Sequence, residues 1–248
     1  LDQQRLQGMP VSVAIYTNLS RDHLDYHADM AEYAAAKAKL FDKAHFPELT
    51  HAIINIDDEH AQIMLDTAHA SGLTVWSYSL DPAKSATFVA ADIKPSLQGV
   101  EIALRTDFKN KETKSINIIS PLLGRFNVAN LLAAIAAAVA LGISLERIAD
   151  VIPQLQGAVG RMQRVPSANG CFIVDYAHTP DALSQVLASL KTHCKGQLWA
   201  VFGCGGDRDA GKRPLMAQAG LAGADKVVLT ADNPRTEDPN LILQDMQA

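Results

Sequence analysis

Short apolar runs of strand length alternate with longer helical segments, and this alternation predicts an α/β fold. Three observations carry the expectation. First, the runs at 11–16 and 51–56 are compact and apolar, and each leads into a loop and then a helix-forming stretch. Second, the runs at 75–79, 88–93, 100–104 and 115–119 are partly alternating and separated by Asp-Pro, Lys-Pro and charged turns. They predict a small antiparallel or mixed sheet added to a mostly parallel one. Third, runs at 172–175, 197–202 and 226–230 alternate with helices in the order β-α-β-α-β-α, the start of an open, Rossmann-like parallel sheet.

The helices carry their own punctuation. Asp29 can cap a helix with Glu32 at its third position, a variant of the capping box. The helix after 57–59 runs to about Ser71 and stops at Gly72. An Ala/Leu segment at 126–141 stops at Gly142, Ser144 starts a further helix, and Pro153 follows its end. Thr179-Pro180 supplies an N-cap with Pro at the first helical position. The stretch QGAVGRMQR at 156–164 breaks the periodicity, which divides the chain into domains at 1–159 and 160–248.

The 248 residues, 48% hydrophobic, suffice for one large or two modest domains. The net charge of −5 gives no basic footprint for nucleic acid. No apolar run reaches membrane-spanning length, and no signal peptide is evident. Cys171, Cys194 and Cys204 are odd in number with no CxxC spacing, which points to reduced cysteines. The chain opens on Leu1 rather than Met, as expected of a fragment of a longer protein.

The densest chemistry lies in TNLSRDHLDYHADMAEYAAAKAKLF, at 17–41. His23 and His27 stand four apart among Asp22 and Asp25. HLDYH lacks the Glu of a zinc-protease helix, so a zinc hydrolase is poorly supported. Met30, Tyr33, Leu40 and Phe41 mark one helical face, and Lys37 falls on it. A lysine there either snorkels to water or needs a partner or a modification, because burying an unpaired ammonium is costly. In an open parallel sheet, ligands bind beyond the carboxyl ends of the strands. In the second domain those ends carry 175–178, 203–208 and 232–235. Gly206 to Arg213 matches a phosphate loop in its first seven positions. Its last is Arg213 instead of a hydroxyl residue, and Asp207 and Asp209 place negative charge where phosphates would lie. The loop also fails GxGxxG, since Arg208 takes the third Gly position.

Six ordered blocks, TNLSRDHLDYH, GRFNVANLLAA, GRMQR, VDYAHTPDAL, FGCGGDRDAGKRPLM and DNPRTEDP, resemble the Mur ligases, the ATP-dependent amino-acid ligases of peptidoglycan precursor synthesis. The resemblance covers essentially the whole chain, as the latter part of a central ATPase domain and the first half of a Rossmann-like C-terminal domain. It is greatest to the member that adds meso-diaminopimelate to a UDP-N-acetylmuramoyl-dipeptide. It implies a monomeric cytoplasmic bacterial enzyme that uses ATP and Mg2+, with no nucleic acid and no membrane insertion. A related ligase adding lysine, or a non-catalytic nucleotide-binding module, are the alternatives.

The resemblance also implies roles. His23 and a side-chain-carboxylated Lys37 would hold magnesium, and Gln3, Arg5 and Lys37 would contact the muramyl-dipeptide. Asn127, Arg161, Asp175 and His178 would face ATP, with His23, Lys37 and Arg161 the catalytic set. Gln163 stands where the family often has Glu. Arg208, Asp232, Asn233, Pro234 and Arg235 would form the diaminopimelate pocket. As plainer alternatives, Arg5 is a surface residue, Asn127 a helix N-cap, and 232–234 a turn. The family's phosphate loop is expected before Leu1 and its last amino-acid-binding motif after Ala248, so the fragment alone should not turn over.

Overall fold

The computed structural model describes residues 1, 5–6, 8–19, 27–108, 112–165, 167–168 and 170–247. It divides into two compact units. The first comprises Leu1–Lys94, Glu101–Ser120 and Phe126–Gln154, and the second Pro95–Val100, Pro121–Arg125 and Leu155–Ala248. The main break thus falls slightly before the expected 159/160, and two short segments from the first half group with the second unit.

Strands β1 (Val13–Tyr16), β2 (His51–Asn55), β3 (Thr74–Ser79), β4 (Phe88–Ser96), β5 (Gly99–Thr106) and β6 (Lys114–Ser120) form one sheet in sequence order. β1, β2 and β3 are parallel, with Ile15 opposite Ile53 and Ile53 opposite Trp76. β4 joins β3 in parallel through Tyr78–Phe88 and Ser79–Val89. The links 97–98 and 107–113 are too short for the crossover that parallel neighbours need, so β4, β5 and β6 meander antiparallel. The expected added sheet is therefore a continuation of the parallel one. In β2, Ala52, Ile53 and Ile54 are all buried, which is why it reads as an unbroken apolar run.

Helices α1 (Met30–Ala38) and α2 (Ala61–Ala70) bury Ala34, Ala38, Met64 and Ala68 in one cluster with Ala14, Tyr16, Ala52 and Ile54. The α1 cap forms as its residues predict. The Glu32 N–H donates to Asp29 Oδ1 at 2.8 Å, and Glu32 Oε2 accepts the Ala28 N–H at 2.6 Å. Helix α3 (Arg125–Ala140) buries Val128, Leu131, Leu132, Ile135 and Ala136, a helical stripe. Ser144 caps α4 (Leu145–Val151) by accepting the Arg147 N–H.

Two consecutive aspartates close the carboxyl ends of the parallel strands. Asp58 accepts the Tyr16 hydroxyl at 2.6 Å and the Leu19 N–H at 3.0 Å. Asp57 accepts the Ser79 hydroxyl at 2.6 Å and the Leu80 N–H at 2.7 Å, and pairs with Lys84 at 3.0 Å.

In the second unit, β7 (Gln163–Val165) and β8 (Phe172–Val174) form an antiparallel pair, and β9 (Trp199–Phe202) and β10 (Lys226–Leu229) a parallel one. Here the structure departs from the expected run of three parallel strands: among the described residues, β8 takes its backbone partners from β7. The loop between them is short, so closing it costs little entropy. Helices α5 (Pro180–His193), α6 (Lys212–Gly223) and α7 (Pro239–Gln247) build the core from Leu183, Leu187, Met216, Ala217, Ile242 and Met246 around Ala200. The other face of the β9–β10 pair exposes Trp199, Val201 and Val228. His193, buried at the end of α5, accepts the Gly124 N–H at Nε2 (3.0 Å). Its Nδ1 lies 2.7 Å from the Ser96 carbonyl oxygen and must donate to it, which fixes the neutral tautomer. No helix of the described residues is long and apolar enough to cross a membrane.

Burial alone would raise the Asp57 carboxyl, but the hydrogen bonds from Ser79, Leu80 and Lys84 outweigh it and hold it below its ordinary value. A depressed folded-state value stabilises the fold above about pH 4, and that stabilisation is lost as pH falls through the folded value. Asp57→Ala is expected to cost about 2 kcal/mol at neutral pH by urea denaturation. The deficit against wild type should shrink as pH falls below about 4 and through the depressed folded-state value, where the native carboxylate takes up its proton.

Candidate functional site

The loops that follow β9 and β10 are packed backbone against backbone. The Gly206 N–H donates to the Asn233 carbonyl at 2.9 Å. A Cβ on Gly206 would lie 1.9 Å from the Pro234 carbonyl oxygen, and one on Gly203 would lie 2.4 Å from that of Thr230. Only glycine fits at either position. The parallel β9–β10 register, Phe202 opposite Leu229, brings the two strand ends level and so sets up this contact.

Side chains brace the same two loops. The Thr236 hydroxyl donates to Asp207 Oδ1 at 2.7 Å, and the Asp207 N–H donates to Glu237 Oε1. Arg213 donates from Nη2 to both Glu237 oxygens at 2.8 Å and from Nη1 to Asp245 at 2.7 Å, and is itself 2% exposed. Asp207 and Arg235 both take left-handed backbone, each with φ 52°. Asn233 Oδ1 accepts the Arg235 N–H, closing an Asx turn. The exposed Arg208 and Arg235 therefore project from two loops locked to each other. Hydrogen bonds from Arg213, then from the Asp207 N–H, hold the Glu237 carboxyl below its ordinary value; the Thr236 hydroxyl does the same for Asp207. Both braces persist above about pH 4 and are lost as pH falls through those depressed values.

A second group follows β8. The Arg161 guanidinium lies 5.1 Å from the centre of the Tyr176 ring, and the His178 ring lies 5.0 Å from it. Arg161, Tyr176 and His178 are all exposed, an open cation–aromatic row suited to a flat, anionic ligand. Asp175 holds this row in shape. Its Oδ2 accepts the Met162 N–H at 2.7 Å, where the backbone is left-handed with φ 46°, and its Oδ1 accepts the Ala177 N–H at 2.9 Å. Gln163 Oε1 accepts the Gly160 N–H at 2.8 Å, a bond that needs only an oxygen, so Gln serves it as Glu would. Lys212 ties the group to α6 through the His178 carbonyl at 3.1 Å.

In the first unit, Lys37 is half-buried on α1 with its ammonium 5.1 Å from the Tyr33 ring centre, and the His27 ring stacks on Tyr33 at 5.0 Å. Asn127 is the third residue of α3, inside the helix rather than at its cap. Arg5 is exposed in a turn. His23 and Gln3 lie outside the described residues.

Residues 1–138 match the Mur ligase middle domain, and 160–248 the Mur ligase glutamate ligase domain. The chain belongs to the Mur ligase family. It is 45% identical over 254 residues to the UDP-N-acetylmuramoyl-L-alanyl-D-glutamate-2,6-diaminopimelate ligase of Pseudomonas putida, and 47% identical over 248 residues to that of Pseudomonas aeruginosa. Each match takes in 100% of this chain and 49% of the relative, so the chain spans about half the length of the curated relatives it matches. A solved ligase of the same name superposes with a TM-score of 0.78 at 50% identity, over 99% of this chain and 49% of that one. The UDP-N-acetylmuramate-alanine ligase of Thermotoga maritima, with a TM-score of 0.67 at 22% identity over 96% of this chain and 49% of its own, shares the fold.

The Mur motifs pointed to Arg208, Arg235, Arg161 and His178, but not to the residues that hold them: Arg213, Glu237, Asp207, Thr236 and Tyr176. Arg213 did leave a signal. With Met216, Ala217 and Gly220 it completes the buried i, i+3, i+4, i+7 stripe of α6, where a lone cation must find a partner. Gly206→Ala is expected to lower stability by on the order of 2 kcal/mol and to force the two loops apart. Gly196→Ala, where a Cβ meets nothing within 4 Å, is the control and should be near neutral by thermal denaturation.

Proposed function

We propose that the chain is the substrate-handling half of an ATP-dependent ligase that adds meso-diaminopimelate to UDP-N-acetylmuramoyl-L-alanyl-D-glutamate in the bacterial cytoplasm. The observation that carries the reading is the pair of interlocked loops presenting Arg208 and Arg235. Diaminopimelate differs from lysine by a carboxylate at the far end of its side chain, and a guanidinium pairs with a carboxylate through two parallel hydrogen bonds. The names of relatives 45%, 47% and 50% identical to this chain support the same substrate. In this reading Asp232, Asn233 and Pro234 shape the pocket, and Gln3, Arg5 and Lys37 face the muramyl-dipeptide.

In the reaction, ATP phosphorylates the D-glutamate side-chain carboxylate. The diaminopimelate amine then attacks the acyl phosphate, and phosphate leaves. The difficulty is anion crowding, since a carboxylate must approach a triphosphate. Arg161 offsets that charge while Tyr176 and His178 give the nucleotide a flat surface and Asp175 holds the turn; the family resemblance adds Asn127 of the first unit as a nucleotide contact. Among the described residues, no three His, Cys, Asp or Glu side chains stand together as a metal site. Lys37, as a cation over a ring, offers no ligand until it is carboxylated. The carbamate would then supply anionic oxygen suited to magnesium, with His23 as its companion. Magnesium, when bound, would neutralise phosphate charge.

Two outcomes are expected. Lys37→Ala in the full-length protein abolishes turnover, and short-chain acids or bicarbonate partly restore it; intact-mass measurement of wild type should find the added carboxylate. In a competition between diaminopimelate and lysine resolved by product mass, lysine is excluded by about 10⁴-fold, because an unpaired, desolvated Arg235 penalises it. Arg235→Ala loses most activity with diaminopimelate while ATP binding holds. Comparable lysine incorporation by wild type would transfer the chain to a lysine-adding ligase.

A further inference from the structure

Arg213 is charged, 2% exposed and too deep to touch a ligand, yet it anchors both loops of the amino-acid pocket. It contacts Glu237 with two hydrogen bonds, and Glu237 in turn accepts the N–H of Asp207, the residue directly before Arg208. Asp207 accepts both the hydroxyl and the N–H of Thr236, the residue directly after Arg235. We propose that Arg213 is a positioning residue for amino-acid recognition: through Glu237 it holds the loop carrying Arg208 against the loop carrying Arg235.

Three physical points support this. Asp207 and Arg235 sit in left-handed backbone, which residues with a Cβ seldom adopt, so tertiary bonds help to hold them there. The carboxylates of Asp207 and Glu237 repel each other, and a fixed guanidinium beside them removes the penalty for keeping both in one brace. Finally, Arg208 and Arg235 carry like charge on two joined loops, and the frame that joins the loops is what resists their separation in the absence of the substrate carboxylate. The second arm of Arg213, to Asp245 on α7, touches neither loop and serves as an internal control.

The inference rests on the diaminopimelate reading, and the test separates the two. In the full-length protein, Glu237→Ala and Arg213→Met are compared with Arg213→Lys and Asp245→Asn by steady-state kinetics and by amide hydrogen exchange at Gly206 and Asp207. Glu237→Ala, which removes the oxygen that accepts the Asp207 N–H, and Arg213→Met are expected to raise KM for diaminopimelate about tenfold or more while KM for ATP stays within about twofold. Exchange at Asp207 should quicken in both. Arg213→Lys, which keeps the charge without the fork, should recover part of the loss, and Asp245→Asn should behave as wild type. Should Arg213→Met fail to fold, Glu237→Ala, on a partly exposed side chain, carries the test alone. Equal rises in both KM values, or an unchanged KM for diaminopimelate in Glu237→Ala, would overturn the proposal. If wild type ligates no diaminopimelate, the functional reading fails and exchange decides the brace: faster exchange at Asp207 in Glu237→Ala sustains it, and unchanged exchange sinks it.

Discussion

The backbone contact between Gly206 and Pro234 leaves no space for a single carbon atom, and the chemistry of the second unit is arranged around it. Two loops that close can present their side chains at a fixed separation only if neither moves without the other. The contact is made possible by the parallel pairing of β9 and β10, which ends both strands at the same level. It is secured by Asp207, Thr236, Glu237 and Arg213, none of which needs to reach the ligand. What is held is a pair of arginines, and in the proposed role as a carboxylate receptor their value would depend on geometry more than on charge alone.

Both units use acidic side chains in the same way. Asp57 and Asp58 in the first, and Asp175, Asp207, Asp225 and Glu237 in the second, accept backbone N–H groups near strand ends. Six of the chain's 27 carboxylates are thereby committed to closing turns. The loops they close expose Arg161, Arg208 and Arg235, with Asp209 and Asp232 exposed beside the last two. A chain that is acidic overall thus still presents guanidinium groups at its strand ends, which the sum of its charges conceals.

Much of the fold was legible because its signals are local. The caps at Asp29, Ser144 and Thr179 form as their sequences predict, since each needs only a partner three residues away. The Lys37 face was also readable from helical spacing, and the residue is half-buried beside Tyr33. Long-range pairings were not legible. Asp57 carried no assigned role because Ser79 and Lys84 are distant in sequence. β8 has the composition of a parallel strand, yet its partner is β7, a choice the periodicity of 172–175 does not contain. Arg213 looked like a fault in a phosphate loop; it is the buried end of an ion-pair network whose other members lie downstream.

The left-handed backbone at Arg235 carries a consequence for how this protein can change. Glycine would occupy that position with less strain, and so would asparagine, so selection for thermal robustness alone pulls the position away from arginine. In the proposed reading, arginine stands there because it recognises an anion. Activity and robustness then oppose each other at this position, and directed evolution for heat tolerance without a turnover screen would erode it early.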